Sequence, residues 1–141
     1  MQLVIGGCFQ GKLDYAKKEL ARQGILVITE EIIDGMQIDL ILWEDDRRRR
    51  GEQVRILNHF HLWVKDWMEE GREAELMPAL EKMLLKHPDL WIVCDEVGCG
   101  VVPVEKTERA YRELVGRLLC FLAQKAEHVV RIVAGMPMKI K

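Results

Sequence analysis

Gly6-Gly7-Cys8-Phe9-Gln10-Gly11-Lys12-Leu13 directly follows the apolar run Leu3-Val4-Ile5. A phosphate-binding loop reads G-x-x-x-x-G-K-[ST]. Its backbone N–H groups cradle phosphates, its lysine reaches the terminal ones, and its hydroxyl ligates Mg²⁺. Every position but the last is met here, so the cradle is written out while Leu13 stands where the metal-binding hydroxyl belongs. A lysine opening a helix sits at the positive end of the helix dipole, an unfavourable place unless an anion is bound. Lys12 is therefore a candidate for neutralising phosphate charge, against the plainer reading of an ordinary solvent lysine. Gly6, Gly7, Cys8, Phe9, Gln10, Gly11, Lys12 and Leu13 together form the candidate nucleotide-binding segment.

Outward from the loop, strand-like and helix-like patterns alternate. Residues 2–5 read as a short strand. Leu13, Ala16 and Leu20 fall at helical spacing over 12–23, with Gly24 as the stop. The β-branched run Ile25-Leu26-Val27-Ile28 predicts a buried parallel strand, completing a first β-loop-α-β unit. A further strand is expected over 38–43. The charged stretch 44–53 carries Arg47, Arg48, Arg49 and Arg50 between Glu44, Asp45, Asp46 and Glu52. An arginine run suggests phosphate or nucleic-acid contact, but the adjacent acids nearly cancel it, which favours a solvated segment.

The strand pattern resumes at 54–57, followed by Asn58-His59-Phe60-His61 and a helix-like stretch through Trp67. Residues 69–86 predict an amphipathic helix with Leu76, Leu80, Met83 and Leu84 on one face and Pro78 in the first turn of its regular part. A strand at 90–94 ends in Asp95-Glu96-Val97-Gly98-Cys99-Gly100. A long helix over 107–126 presents Ala110, Leu114, Arg117, Leu118, Phe121 and Leu122 to the core. A strand at 129–133 and a turn at 135–137 lead to the tail. The whole predicts one α/β domain over 1–141, a mainly parallel sheet with helices on both faces. Ligands of such sheets sit at the carboxyl ends of the strands. The segments 6–12, 58–61 and 95–100 should accordingly share one rim.

The chain of 141 residues is 49% hydrophobic and 31% charged, with a net charge of −2. That balance suits a protein with a substantial core and argues against bulk nucleic-acid binding. No apolar run reaches the length of a membrane span and no basic leader precedes the first apolar segment, so a cytoplasmic protein without membrane contact is expected. The four cysteines, Cys8, Cys94, Cys99 and Cys120, lack C-x-x-C spacing and are expected to be free thiols. Cys8, in a loop rich in N–H groups, is expected either to have a lowered pKa or to be a small filler.

The segment Val93-Cys94-Asp95-Glu96-Val97-Gly98-Cys99-Gly100-Val101-Val102-Pro103 resembles the N-E-V-G-x-G-I-V-P motif of the adenosylcobinamide kinase/adenosylcobinamide-phosphate guanylyltransferase family. The likeness continues through Arg112-Glu113-Leu114-Val115-Gly116-Arg117-Leu118 and the ending Val133-Ala134-Gly135-Met136-Pro137-Met138-Lys139-Ile140-Lys141. Gly6-Gly7 with Gly11-Lys12 resembles the family's G-G-x-R-S-G-K-S loop, and Leu57-Asn58-His59-Phe60-His61-Leu62-Trp63-Val64 resembles its D-C-L-T-L-W-V motif.

This resemblance implies a P-loop fold with a C-terminal antiparallel strand, a place in cobalamin assembly, GTP or ATP as nucleotide, a corrinoid as substrate, and a small homo-oligomeric ring. Family members phosphorylate the adenosylcobinamide hydroxyl and then transfer GMP through a histidine-linked intermediate. The departures fall on that chemistry. Leu13 replaces the Mg²⁺-ligating serine, Asn58 stands where the family has an acid, and Phe9 and Gln10 replace the loop's Arg and Ser. No histidine occurs between Thr29 and Asn58, where the family carries its guanylylated one. Loss of both metal-side groups should weaken phosphoryl transfer, and loss of the nucleophile should remove guanylyl transfer.

Asp95 and Glu96 are candidates for the metal or proton role missing at Asn58, Glu96 with Lys12 as a tentative catalytic pair. Otherwise Asp95 caps its turn and Glu96 pairs with an arginine such as Arg112 or Arg117. His59 and His61 would point the same way if extended, near Cys94 or Cys99. A zinc site or a substitute nucleophile is then weighed against ordinary satisfied histidines. Trp43, Trp63, Trp67 and Trp91 read as core or interface residues. Three functions stay open: a divergent kinase on a cobinamide-like alcohol, a binding or regulatory protein that has lost turnover and takes a nucleotide or corrinoid or pairs with an active paralogue, and a nucleic-acid or acidic-partner module using Arg47 to Arg50.

Overall fold

The computed structural model describes residues 1–37 and 55–141. The strand expected over 38–43, Trp43 and the Arg47 to Arg50 run lie outside the described residues. Strand β1 (Gln2–Gly6) leads through the glycine loop into α1 (Lys12–Arg22). Then come β2 (Ile32–Asp34) and β3 (Ile56–Asn58), helices α2 (Phe60–Glu69) and α3 (Glu73–Lys86), β4 (Trp91–Asp95), α4 (Lys106–Lys125), β5 (His128–Val133) and β6 (Met136–Lys139). The described strands form one sheet in the order β2-β3-β4-β1-β5-β6. All neighbours are parallel except β5 with β6, the expected antiparallel C-terminal strand.

Side chains alternate between the two faces of a strand, and here both faces are covered. Leu3, Ile33, Leu57, Ile92, Cys94 and Val129 enter one core with Phe60, Trp63 and Trp67 of α2, Leu76, Leu80 and Met83 of α3, and Tyr111, Val115, Leu118 and Leu122 of α4. Val4, Ile56, Trp91, Val93, Val130 and Ile132 enter a smaller core on the opposite face, under Ala16 and Leu20 of α1. This double burial explains why the strands read as continuous apolar runs rather than as alternating ones. Trp63, Trp67 and Trp91 are all buried, as core residues.

Four expectations about elements are corrected. Residues 25–28 are not a strand: Leu26 and Ile28 are exposed, while Ile25 and Val27 pack partly against the smaller core. These residues pair with no described strand, and the strand forms later, at Ile32–Asp34. The helix expected over 69–86 begins at Glu73, because Gly71 with φ 71° ends α2 and turns the chain. Pro78 falls inside α3, beyond its first turn. On α4 the buried stripe is Tyr111, Val115, Leu118 and Leu122, while Ala110 and Arg117 face solvent. The buried stripe lies about one residue out of phase with the expected one, with Leu114 and Phe121 half-buried along its edge.

Gly6 positions the loop. Its φ is 154°, and a Cβ there would lie 2.5 Å from the carbonyl oxygen of Ile132 in β5. Gly6→Ala is expected to cost about 1–3 kcal/mol of stability by forcing β1 from β5. The check is a lower urea midpoint with an unchanged slope.

Candidate functional site

The parallel strands deliver their carboxyl ends to one rim. Register pairs Gly6 of β1 with Asp95 of β4, and Asp34 of β2 with Asn58 of β3. The segments 6–12, 58–61 and 95–100 meet there, as the alternation predicted.

Lys12, the first residue of α1, is buried to 6% exposure. Its Nζ lies 2.8 Å from Asp95 Oδ1 and donates to the Gly7 carbonyl at 2.6 Å. Gly11 precedes the helix without any side-chain cap. The opening N–H groups of α1 are thus left without a capping side chain beside a buried ammonium, the arrangement that receives phosphate oxygens. Phe9 is 99% exposed, and the Gln10 side chain accepts from the Ala134 N–H, tying the loop to the β5–β6 turn.

Asp95 is the hub of the rim. Burial alone would raise its carboxyl pKa, but the Lys12 hydrogen bond and charge outweigh it and hold the group below its usual range. The Cys8 thiol is exposed, yet its pKa is raised, through partial desolvation and the Asp95 carboxylate it bonds. This corrects the expectation of an activated thiol: desolvation first, and then the neighbouring Asp95 carboxylate, outweigh the loop N–H groups and Lys12. All four cysteines are free.

His61 lies in the first turn of α2, almost fully buried. Its Nδ1 accepts the Asp95 backbone N–H at 3.3 Å, while Tyr111 Oη donates to the His61 carbonyl at 2.9 Å. The proton therefore sits on Nε2, 3.9 Å from Asp95 Oδ2. Burial lowers the His61 pKa, against the pull of Asp95. His59 is not extended beside it. With φ 52° it occupies the left-handed region just before α2, its ring edge-on to that of His61 at 5.8 Å. Among the described residues no group of three or more His, Cys, Asp or Glu side chains is placed to hold a metal.

His59 Nδ1 lies 2.7 Å from Asp34 Oδ2 and 3.1 Å from the Asn58 amide. Asp34 was not singled out in the sequence. Its only signal was its place between Ile32-Ile33 and Gly35, a strand end facing the sheet's open rim. Gly35 packs against the same turn: a Cβ on it would lie 2.3 Å from the His59 carbonyl oxygen. Gly35→Ala is therefore expected to displace His59 from Asp34 and to destabilise the fold by about 1–3 kcal/mol. Loss of the shifted His59 ring resonances in NMR spectra, together with a lower melting point, would verify both effects.

Glu96 accepts from Arg131 Nε at 2.9 Å, and its N–H donates to the Gly6 carbonyl. Its arginine partner is thus on β5, not Arg112 or Arg117, which pair with Glu108 and Glu113 along α4. Mg²⁺ does not fit the loop as it stands. Leu13 offers no oxygen and packs against the smaller core, while Asp95 and Asp34 are engaged by Lys12 and His59.

The pKa directions set the acid response. The native state binds fewer protons at His61 than the unfolded chain below 6.5, so stability falls as pH drops through that value. Asp95 contributes fully above 3.8 and loses its contribution as pH falls through its lower native value. Unfolding free energy should decline in two steps between neutral and acidic pH. His61→Gln should remove the upper step alone, read by urea titrations at pH 7.5, 5.5 and 3.5.

The family model described as cobinamide kinase / cobinamide phosphate guanyltransferase matches residues 36–140. The match takes in β3 through β6, including Asn58, His59, His61, Asp95 and Glu96, and leaves the 6–13 loop and Asp34 outside. Two curated relatives are similar. The bifunctional adenosylcobalamin biosynthesis protein CobU of Escherichia coli (strain K12) is 32% identical over 79 residues, 56% of this chain and 44% of that protein. The protein of the same name from Salmonella typhimurium is 40% identical over 79 residues, with the same coverage of each chain. The matched part thus spans less than half the length of these relatives. No described helix is long and apolar enough to cross a membrane.

Proposed function

The chain belongs to the cobinamide kinase/cobinamide phosphate guanyltransferase family, and from that premise we propose that it binds GTP or ATP by the phosphates on the 6–12 loop and serves cobalamin assembly in the cytoplasm. The observation that carries this reading is Lys12: a buried ammonium at the uncapped start of α1, held among the described residues by Asp95 and the Gly7 carbonyl. An incoming phosphate takes the place of the Asp95 carboxylate on that ammonium and accepts from the opening N–H groups of α1.

Phosphoryl transfer is weakened, because Leu13 and Asn58 leave the terminal phosphate without the metal-side groups of a kinase loop. Guanylyl transfer through a histidine in the middle segment does not operate, since residues 29–58 contain none. A corrinoid is the proposed second ligand, and copies of the chain associate as a homo-oligomer. The third reading, a nucleic-acid or acidic-partner module, rests on Arg47 to Arg50, which lie outside the described residues. Isothermal titration with GTP and with ATP, each with and without Mg²⁺, tests the proposal. Saturable binding that does not require Mg²⁺ is expected, and absence of heat at millimolar nucleotide would refute it.

A further inference from the structure

The rim carries a second acid–histidine pair that nucleotide binding does not use. β2 and β3 run parallel with Asp34 opposite Asn58, so the next residue, His59, reaches back across the strand end to Asp34. The pair is short, 2.7 Å from Nδ1 to Oδ2. A carboxylate can only accept, so Nδ1 holds the proton and donates it. The structure puts the Asn58 amide nitrogen 3.1 Å from the same ring nitrogen; with the proton on Nδ1, the amide takes the flipped orientation, in which its oxygen faces that N–H. Nε2 is left with a free lone pair on a ring that is 43% exposed, and no described residue hydrogen-bonds it.

His59 also adopts a backbone conformation with φ 52°, uncommon outside glycine and costly unless its surroundings enforce it. Gly35 passes too close beneath it for any side chain, so the turn is held from below. From His59 the rim continues without a gap to the loop: the His61 ring at 5.8 Å, Asp95 Oδ2 at 3.9 Å from His61, and Lys12 at 2.8 Å from Asp95.

We propose that Asp34 and His59 form a proton-accepting dyad, in which His59 Nε2 takes the proton of a substrate hydroxyl as that oxygen attacks the terminal phosphorus of a nucleoside triphosphate. The hydroxyl O–H bond breaks as an N–H bond forms on Nε2. The new O–P bond forms as the bridging P–O bond to the β-phosphorus breaks, and its electron pair leaves with the nucleoside diphosphate. Asp34 is the positioning residue: it holds the tautomer and stabilises the imidazolium until the proton passes to water. His61 is no substitute, because its Nδ1 is committed to the Asp95 N–H and its Nε2 carries the proton. The base side of the reaction is thus built in a chain whose metal side is eroded. The inference rests on the nucleotide reading above.

The test uses the full chain, GTP and cobinamide, with phosphorylated corrinoid measured by mass spectrometry and nucleotide affinity by fluorescence titration. His59→Gln is expected to slow transfer by about 10²-fold or more while nucleotide affinity stays within about threefold. Asp34→Asn should slow transfer by about 10-fold or more and abolish the downfield Nδ1 proton resonance of His59, an effect a merely structural role would not single out. Transfer by His59→Gln at the wild-type rate would overturn the proposal. An acid-labile phosphoryl or guanylyl group on His59 would overturn it too, by making the ring a nucleophile. Nucleotide binding without any transfer sinks the dyad but leaves the cradle standing, whereas no nucleotide binding at all sinks both.

Discussion

Lys12→Met is expected to weaken nucleotide binding about 100-fold, close to 3 kcal/mol, because the loop loses its only buried cation while the stem and helix start are preserved. Methionine keeps an unbranched side chain of similar length at this buried position, so a loss of affinity without a loss of packing isolates the charge. The substitution has a second consequence at Asp95. With Lys12 present, burial's tendency to raise the Asp95 pKa is overcome, and the ionised carboxylate stabilises the fold above 3.8. Without the ammonium, burial prevails and the pKa rises. The protonated carboxyl is then the comfortable form, and stability is lost as pH increases through the raised value. Wild type should therefore be more stable at pH 7 than at pH 4, and Lys12→Met should show that difference reduced or reversed. Calorimetric titration with GTP and urea unfolding at the two pH values measure the two effects separately.

Trp63→Ala is expected to be the most destabilising single core substitution, costing about 3–5 kcal/mol. Trp63 is fully buried at the centre of the larger core, its ring 5.5 Å from that of Phe60 and 5.1 Å from that of Trp67. A domain with a total stability of about 5–15 kcal/mol has little margin for such a loss, which corresponds to a melting point lower by about 10 °C or more. Its indole N–H gives the prediction a second arm. Nε1 is buried with no hydrogen-bond partner among the described residues, so the native fold already bears the desolvation of an unsatisfied donor. Trp63→Phe leaves a smaller cavity and removes that donor, and should cost much less than the alanine change. Equal melting points for the two variants would show that the packed ring is not what holds α2 to the sheet.

Much of the fold was legible in the primary structure because the strands are covered on both faces. Leu3-Val4-Ile5 and Trp91-Ile92-Val93-Cys94 read as strands without any alternation, since each successive side chain finds a core on one face or the other. The same logic failed at residues 25–28. That run is as apolar and β-branched as a central strand, but composition carries no information about whether ladder partners exist, and Leu26 and Ile28 end up exposed. The antiparallel β6 was legible only through family likeness, since all four of its residues are exposed.

The candidate site divides along the same line. The glycine spacing of Gly6 to Lys12 is legible because spacing is a property of sequence, and the proposed approach of an anion to backbone depends on that spacing. The glycine loop, the lysine that opens α1 and the broad alternation of strands and helices are written in the primary structure, though the second strand lies at Ile32–Asp34 and not at 25–28. Which groups meet Lys12 was not. Asp95 is 83 positions away in sequence and becomes its partner only because β4 lies parallel beside β1 in register, Gly6 against Asp95. Asp34 and His59 likewise meet only through the β2–β3 register and a left-handed turn packed on Gly35. The sequence by itself determined most of the element types and the glycine pattern of the 6–12 loop, because periodicity and backbone chemistry are local. Tertiary structure alone decided the acid–base pairings of the rim, because a short-range ion pair or hydrogen bond depends on ångström separations that only strand register sets.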